Sequence, residues 1–139
     1  MARIKQQLGK AEYEALAEFR YALRRFIHFS ENAAHDAGIT SQQHQALLAI
    51  KGFPKREAVT VGELAERLQL KHHSTVGLVD RLVAEKLVVR RPSAEDRRRV
   101  IIRLTPRGEG VLAKLSWAHS RQLKRVGPKL AGVLKKLGE

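Results

Sequence analysis

The sequence predicts a mainly α-helical chain carrying one small β-hairpin, and three observations say so. Apolar residues recur at the helical period over most of its 139 residues. Two stretches open on a Thr answered three residues later by Gln or Glu, the spacing of a helix capping box. From Leu87 onward the pattern changes to strand-like runs, "LVVRRP" and "RVIIRLT", separated by turn residues.

Composition narrows the partners. Twenty-seven Lys and Arg stand against 14 Asp and Glu, leaving a formal charge of +13. That balance favours a polyanionic partner, nucleic acid first and an anionic membrane surface second. The hydrophobic share of 43% is that of a globular chain, long enough for a real core yet short enough for association to help. The absence of cysteine excludes disulfides, thiolate metal sites and cysteine redox chemistry. "MARIKQQLGK" lacks the apolar stretch of a secretion signal, and no run is long enough to span a membrane. A cytoplasmic protein with no membrane partner is expected.

Taken in order, residues from about Lys10 to Ala37 contain no proline and many good helix formers. Tyr13, Leu16, Ala17, Phe19, Leu23, Phe26, Ile27 and Phe29 spread around more than one helical face, which predicts a helix buried by a partner. Gly38 should end it as a glycine C-cap does. "TSQQHQALLAIKG" pairs Thr40 with Gln43 in a capping box and turns Leu47 and Ile50 inward. "GFPKREA" reads as a loop. Thr60 and Glu63 repeat the box, with Val61, Leu64, Ala65 and Leu68 on one stripe. After the short "QLKHH" connection, "HSTVGLVDRLVAEK" places Val76, Val79, Leu82 and Val83 inside.

Two helices, a tight connection and polar residues at the start of the second describe a helix-turn-helix, although helical hairpins with no DNA role share the pattern. The two strand runs surround a turn containing Pro92, Ser93, Ala94 and Glu95. A helix-turn-helix followed at once by a basic hairpin is a winged helix, here residues 40–105. Thr105 and Pro106 then read as N-cap and first residue of a new helix, with Leu112, Leu115, His119, Leu123 and Val126 on one stripe. Gly127-Pro128 should break it. A last short helix would place Leu130, Val133, Leu134 and Leu137 together.

These motifs resemble the MarR family of bacterial transcriptional regulators over nearly the whole chain. Asp96-Arg97-Arg98, leading into Ile101-Ile102-Arg103-Leu104-Thr105-Pro106-Arg107-Gly108, is similar to the family's D-x-R wing signature and its "LT-x-x-G" helix entry. "LAERLQLKHHSTVGLVDRL" is similar to its helix-turn-helix. The resemblance implies one MarR-like chain, 1–139, forming a homodimer through helices in 10–37 and 106–139, with double-stranded DNA as partner. It also implies a small-molecule effector, commonly a phenolic or carboxylated aromatic, between dimer region and winged helix. Two positions depart from the pattern. Lys86 stands where the family usually has glycine, so that turn is expected to differ locally. The second helix starts at Lys71-His72-His73 without a good N-cap residue.

Within the wing, Arg98 is the first candidate for DNA, because a wing-tip arginine can enter the narrow minor groove. Phosphate repels Asp96, so its presence makes sense if it orients that arginine. The bland alternative is a solvated ion pair. Arg97 and Arg99 suit phosphates, contacts that position without reading sequence. Arg90 and Arg91 belong to the same DNA-facing set. On the second helix Lys71, His72, His73, Ser74, Thr75, Gly77 and Arg81 fall off the apolar stripe, toward solvent or DNA. Gly77 costs about 1 kcal/mol relative to alanine, which close approach to DNA or plain tolerance would explain. Arg81 suits guanine, or an ion pair with Glu85 one turn on.

Adjacent His72 and His73 diverge on a helix and lack a carboxylate at ligand spacing. His28, His35, His44 and His119 are scattered, leaving zinc sensing a minor reading; no cofactor is expected. No nucleophile–base set or phosphate-cradling glycine loop stands out, so no enzyme is expected. Arg20, Arg24 and His28 align at i, i+4 and i+8 on the first helix. They read foremost as surface charge or subunit ion pairs, and alternatively as the mouth of an anion-holding pocket with Tyr21 or Trp117 as walls. The whole points to a dimeric regulator, a repressor first, binding a pseudo-palindromic operator. A sequence-indifferent nucleoid or RNA-binding protein is the alternative, and a peripheral membrane protein a third.

Overall fold

The computed structural model describes residues 7–138. Eight elements follow in order: α1 (Lys10–Asp36), α2 (Ser41–Lys51), β1 (Ala58–Val59), α3 (Val61–Leu68), α4 (His72–Ala84), β2 (Val88–Pro92), β3 (Val100–Leu104) and α5 (Pro106–Gly138). The strands form one antiparallel sheet in the order β1-β3-β2. The chain divides into two compact units, Ala33–Ser116 and the residues on either side of it.

Local chemistry sets most boundaries in the central unit. Both capping boxes form: Thr40 accepts from the Gln43 N–H at 3.1 Å and Gln43 Oε1 accepts from the Thr40 N–H at 2.9 Å. Thr60 and Glu63 exchange the same two bonds, at 3.2 and 2.9 Å. Burial pushes the Glu63 carboxyl up, but the Thr60 N–H and the Arg56 guanidinium outweigh it and leave the carboxyl below its usual range.

Three helices end alike. Gly38, Gln69 and Lys86 take left-handed backbones (φ 83°, 54° and 61°). At each, the next residue's N–H reaches back over the last turn: Ile39 to the Ala34 carbonyl, Leu70 to Ala65 and Leu87 to Leu82. This is the Schellman closure, which satisfies carbonyls that a helix end otherwise leaves bare. Glycine supplies the geometry at 38, but Gln69 and Lys86 adopt it with a Cβ present, against their steric preference. The turn at Lys86 therefore does not depart from a glycine turn, contrary to expectation. Thr105 pins it, its hydroxyl donating to the Lys86 carbonyl at 2.6 Å and its N–H to the Leu87 carbonyl at 3.0 Å.

The core of this unit collects Leu47, Ile50, Leu64, Leu78, Leu82, Leu87 and Ile102, all buried. Ile39 and Ala34 join it from the first turn, and Leu112 and Leu115 from α5. Gly108 is required for that last approach. A Cβ there would lie 2.1 Å from the Leu87 carbonyl oxygen, so only glycine lets the first turn of α5 press against the α4–β2 turn. The Thr105 hydroxyl accepts from the Gly108 N–H at 3.0 Å, capping the helix as expected.

Four expectations need correction. Ala58, in the stretch read as a loop, begins strand β1, with Ala58 opposite Arg103 and Val59 opposite Ile102. A two-residue strand has no periodicity to read; it exists because β3 offers an unpaired edge. The wing connection is Ser93–Arg99, longer than the turn inferred, because Pro92 still pairs with Val100. Leu78 belongs to the buried stripe of α4 and so does Thr75, leaving Val76 and Val83 at its margin. Finally, α5 runs unbroken to Gly138 with Pro128 inside it. Interior proline costs about 3 kcal/mol in a helix. Val126, Leu130, Val133 and Leu137 nonetheless stay in phase across it, each partly buried, so packing carries the helix through.

In the other unit, α1 and α5 meet around His119. Its Nε2 lies 2.8 Å from Ser30 Oγ, and the rings of Phe26 and Phe29 stand edge-on to it at 5.8 and 5.3 Å. Lys129 pairs with Glu18 at 3.8 Å. Much apolar surface remains uncovered here, including Tyr13, Leu16, Ile27, Trp117, Leu123 and Leu134.

Candidate nucleic-acid interface

Helix α4 presents its polar side because its apolar side is anchored by Leu78, Val79 and Leu82. His72, His73, Ser74 and Arg81 are exposed, and Gly77 is half-buried among them. Lys71 is the N-cap and makes no side-chain cap bond, so the first N–H groups receive no partner from it. Such a helix start carries partial positive charge and suits a phosphate. Thr75, expected on this surface, is fully buried, and its hydroxyl donates to the Lys71 carbonyl at 2.9 Å. It cannot touch DNA. A buried hydroxyl needs a partner, and the carbonyl one turn back is the nearest one available.

The ion pair considered between Arg81 and Glu85 is not made among the described residues. Glu85 instead accepts from Gln43 Nε2 at 2.9 Å, which ties α4 to the start of α2. Arg81 folds back along its own helix: a Cβ on Gly77 would sit 3.8 Å from its guanidinium, an ordinary contact. Gly77 is therefore not enforced by space within the protein.

The wing tip is ordered by its own backbone. The Ser93 N–H donates to the Arg99 carbonyl at 2.8 Å, and the Arg99 N–H to the Asp96 carbonyl at 2.9 Å. Asp96 Oδ1 then accepts twice from Arg98, from its N–H at 3.0 Å and its Nε at 3.2 Å. These bonds hold the Asp96 carboxyl below its usual value, the backbone N–H contributing most. The contribution is present above the ordinary carboxylate pKa and is lost as pH falls through the lowered one. The Arg98 side chain remains 92% exposed while Asp96 is only 39% exposed. An acid seated in the loop thus grips the base of an arginine whose far end projects into solvent. Arg91, Arg97 and Arg99 are exposed around it.

Arg90 differs from its neighbours. Expected on DNA, it is paired instead with Asp80 of α4, a residue that sequence reasoning did not single out.

A model of the MarR family matches residues 37–99, the segment that holds α2 to the wing loop. Over that segment the chain matches the MarR family and forms a winged helix. No curated protein matches the sequence. Among solved structures, a MarR family protein from Bacillus stearothermophilus is 26% identical, with 86% of this chain and 82% of that one covered and a TM-score of 0.73. AbsC of Streptomyces coelicolor, a MarR family transcriptional regulator, is 20% identical over 86% and 80%, with a TM-score of 0.71. An S. aureus MepR variant bound to an oligodeoxyribonucleotide is 19% identical over 87% and 93%, with a TM-score of 0.66.

The MarR-type LT-x-x-G entry acquires a physical reason here, since Thr105 pins the α4–β2 turn and Gly108 makes room for it. Arg20, Arg24 and His28 are exposed on α1 and line none of the described cavities. Tyr21 and Trp117 are each overlaid by an arginine of their own helix, Arg25 at 5.7 Å and Arg121 at 5.0 Å. Among the described residues, no three His, Asp or Glu side chains converge as metal ligands, and no helix is long and apolar enough to cross a membrane.

Proposed function

We propose that this chain is a dimeric, sequence-specific DNA-binding regulator, acting as a repressor. The observation that carries the reading is Asp96 gripping an outward-pointing Arg98 within the unit that also exposes the polar side of α4. In this reading α4 enters the major groove, with His72, His73 and Ser74 leading and Arg81 available for a guanine edge. Arg98 enters the adjacent minor groove. Lys71, Arg91, Arg97 and Arg99 hold phosphates and set register. The MepR relative bound to an oligodeoxyribonucleotide supports this use of the fold.

Dimerisation is supported by the uncovered apolar residues of α1 and α5. Beside them, a groove of about 820 Å³ has Leu8, Ala15, Leu16, Val133 and Leu137 in its lining. Exposed apolar surface on this scale marks an interaction site. A small anionic or phenolic aromatic releases the DNA, provided it prefers the conformation whose recognition helices are wrongly spaced. Arg20, Arg24 and His28 are its proposed anion-binding groups. The deciding experiment selects duplexes from a randomised library and measures their affinity against bulk DNA. A specific regulator gives a ratio of about 10³ or more in favour of a palindromic duplex. Equal affinity for both supports the sequence-indifferent alternative.

A further inference from the structure

Arg90 lies in a strand of the wing hairpin, yet the pairing register directs it elsewhere. In β2, Val88, Arg90 and Pro92 stand opposite Leu104, Ile102 and Val100 of β3. Directly paired residues of an antiparallel sheet share a face, so Arg90 shares its face with Ile102 and Val88, both buried. Arg91 and Arg103 alternate to the other face, paired with Ile101 and Val89. Arg90 therefore reaches toward the side of the sheet packed on the core. There its Nη2 donates to Asp80 Oδ1 of α4.

Asp80 is as out of place as Asp96. It sits on the exposed side of α4, one residue before Arg81, where phosphate would repel it. Asp80 and Asp96 are each engaged by an arginine of the wing hairpin. Within the hairpin, Asp96 sets the aim of Arg98; across elements, Asp80 holds the strand from which that hairpin springs.

We infer that the Asp80–Arg90 pair is a positioning brace for DNA recognition, fixing the angle of the wing relative to α4 so that both grooves are engaged at once. Arg90 is then no phosphate contact. The inference rests on the DNA-binding reading above, and it separates from that reading by the signs it predicts. If Asp80 only opposed phosphate, removing it would strengthen binding to any DNA. If Arg90 gripped phosphate, removing it would lower the dependence of log K on log salt by about 0.9. A brace does neither. It holds two contacts in register, so its loss weakens site-specific binding and leaves non-specific binding alone.

The test uses the full chain and the duplex with highest affinity selected on it from a random library, with sheared bulk DNA as reference. Asp80→Ala and Arg90→Ala are each expected to weaken selected-duplex binding about fivefold, the most an exposed pair supplies. The salt slope and bulk-DNA affinity should not change, and the exchange Asp80→Arg with Arg90→Asp should restore most of the loss. Tighter binding by Asp80→Ala, a flatter salt slope in Arg90→Ala, or no rescue by the exchange overturns the brace. A second readout needs no DNA: amide hydrogen exchange over Ser93–Arg99 should accelerate in both single variants and recover in the exchange. Unchanged exchange overturns the brace even if the DNA-binding reading itself fails, a failure that would show in the unsubstituted protein.

Discussion

Replacing Lys86 by glycine should stabilise the protein. Lys86 holds φ at 61°, where a Cβ crowds the following carbonyl at a cost of about 1–2 kcal/mol. What the native turn uses is its backbone: the N–H bonds Val83 at 2.9 Å, and the carbonyl accepts from Thr105 at 2.6 Å. Its side chain is exposed and makes no ion pair among the described residues. Glycine keeps both backbone bonds and removes the crowding, but loses about 0.5–1 kcal/mol more entropy on folding. The difference leaves a gain of about 0.5–1 kcal/mol, or roughly 2–4 °C in Tm for a domain of this size. Thermal and urea unfolding should be compared at one protein concentration, because an associating protein's Tm depends on it. Lys86→Ala is the control, since it removes the same charge while keeping the Cβ. Equal gains in the two variants would trace the effect to charge and refute the steric argument. A loss in Lys86→Gly would refute it outright.

Further outcomes follow from the same geometry. Arg98→Ala should weaken selected-duplex binding by about 1–3 kcal/mol while Lys10→Ala changes little, measured by fluorescence anisotropy. Asp96→Ala should weaken it too although it removes a negative charge; tighter binding would end the orienting role. Gly108→Ala should destabilise by at least about 1–3 kcal/mol in urea unfolding, because the new methyl meets a backbone carbonyl that cannot step aside. Removing residues 127–139 should leave monomers or aggregates and abolish operator binding, since two half-sites about 10 bp apart must be held together; a monomeric full-length protein in light scattering would contradict this. Small aromatic acids titrated into the protein–DNA complex should release DNA, and less so from Arg24→Ala. Release untouched by substitution at Arg20, Arg24 and His28 would put the pocket elsewhere.

What could be read from the sequence was mostly short in range. The capping boxes at Thr40 and Thr60, the cap at Thr105 and the turn at Gly38 depend on groups within a few residues of one another, so spacing alone reveals them. The nearness of Asp96 to Arg98 is of the same kind, a two-residue separation inside one loop. The winged helix was legible because such local signals occur in its order, and because strand and helix periods differ.

Tertiary structure decided what depends on distant partners. Strand β1 is two residues that become a strand only against Ile102 and Arg103. Thr75 looked polar, yet the core closes over it and a carbonyl one turn back takes its hydroxyl. Pro128 carries a real local penalty that packing along α5 overrides. Arg90 and Arg91 are adjacent in sequence and both basic. The register of β2 against β3 gives them opposite faces, sending one to Asp80 and leaving the other exposed on the far side. Lys86 takes a glycine's conformation because Thr105 and Gly108, some twenty residues away, pin the turn from outside. Local propensities amount to about 1–3 kcal/mol each, and a few buried contacts or pinned hydrogen bonds match that, so non-local partners had the deciding share at these positions.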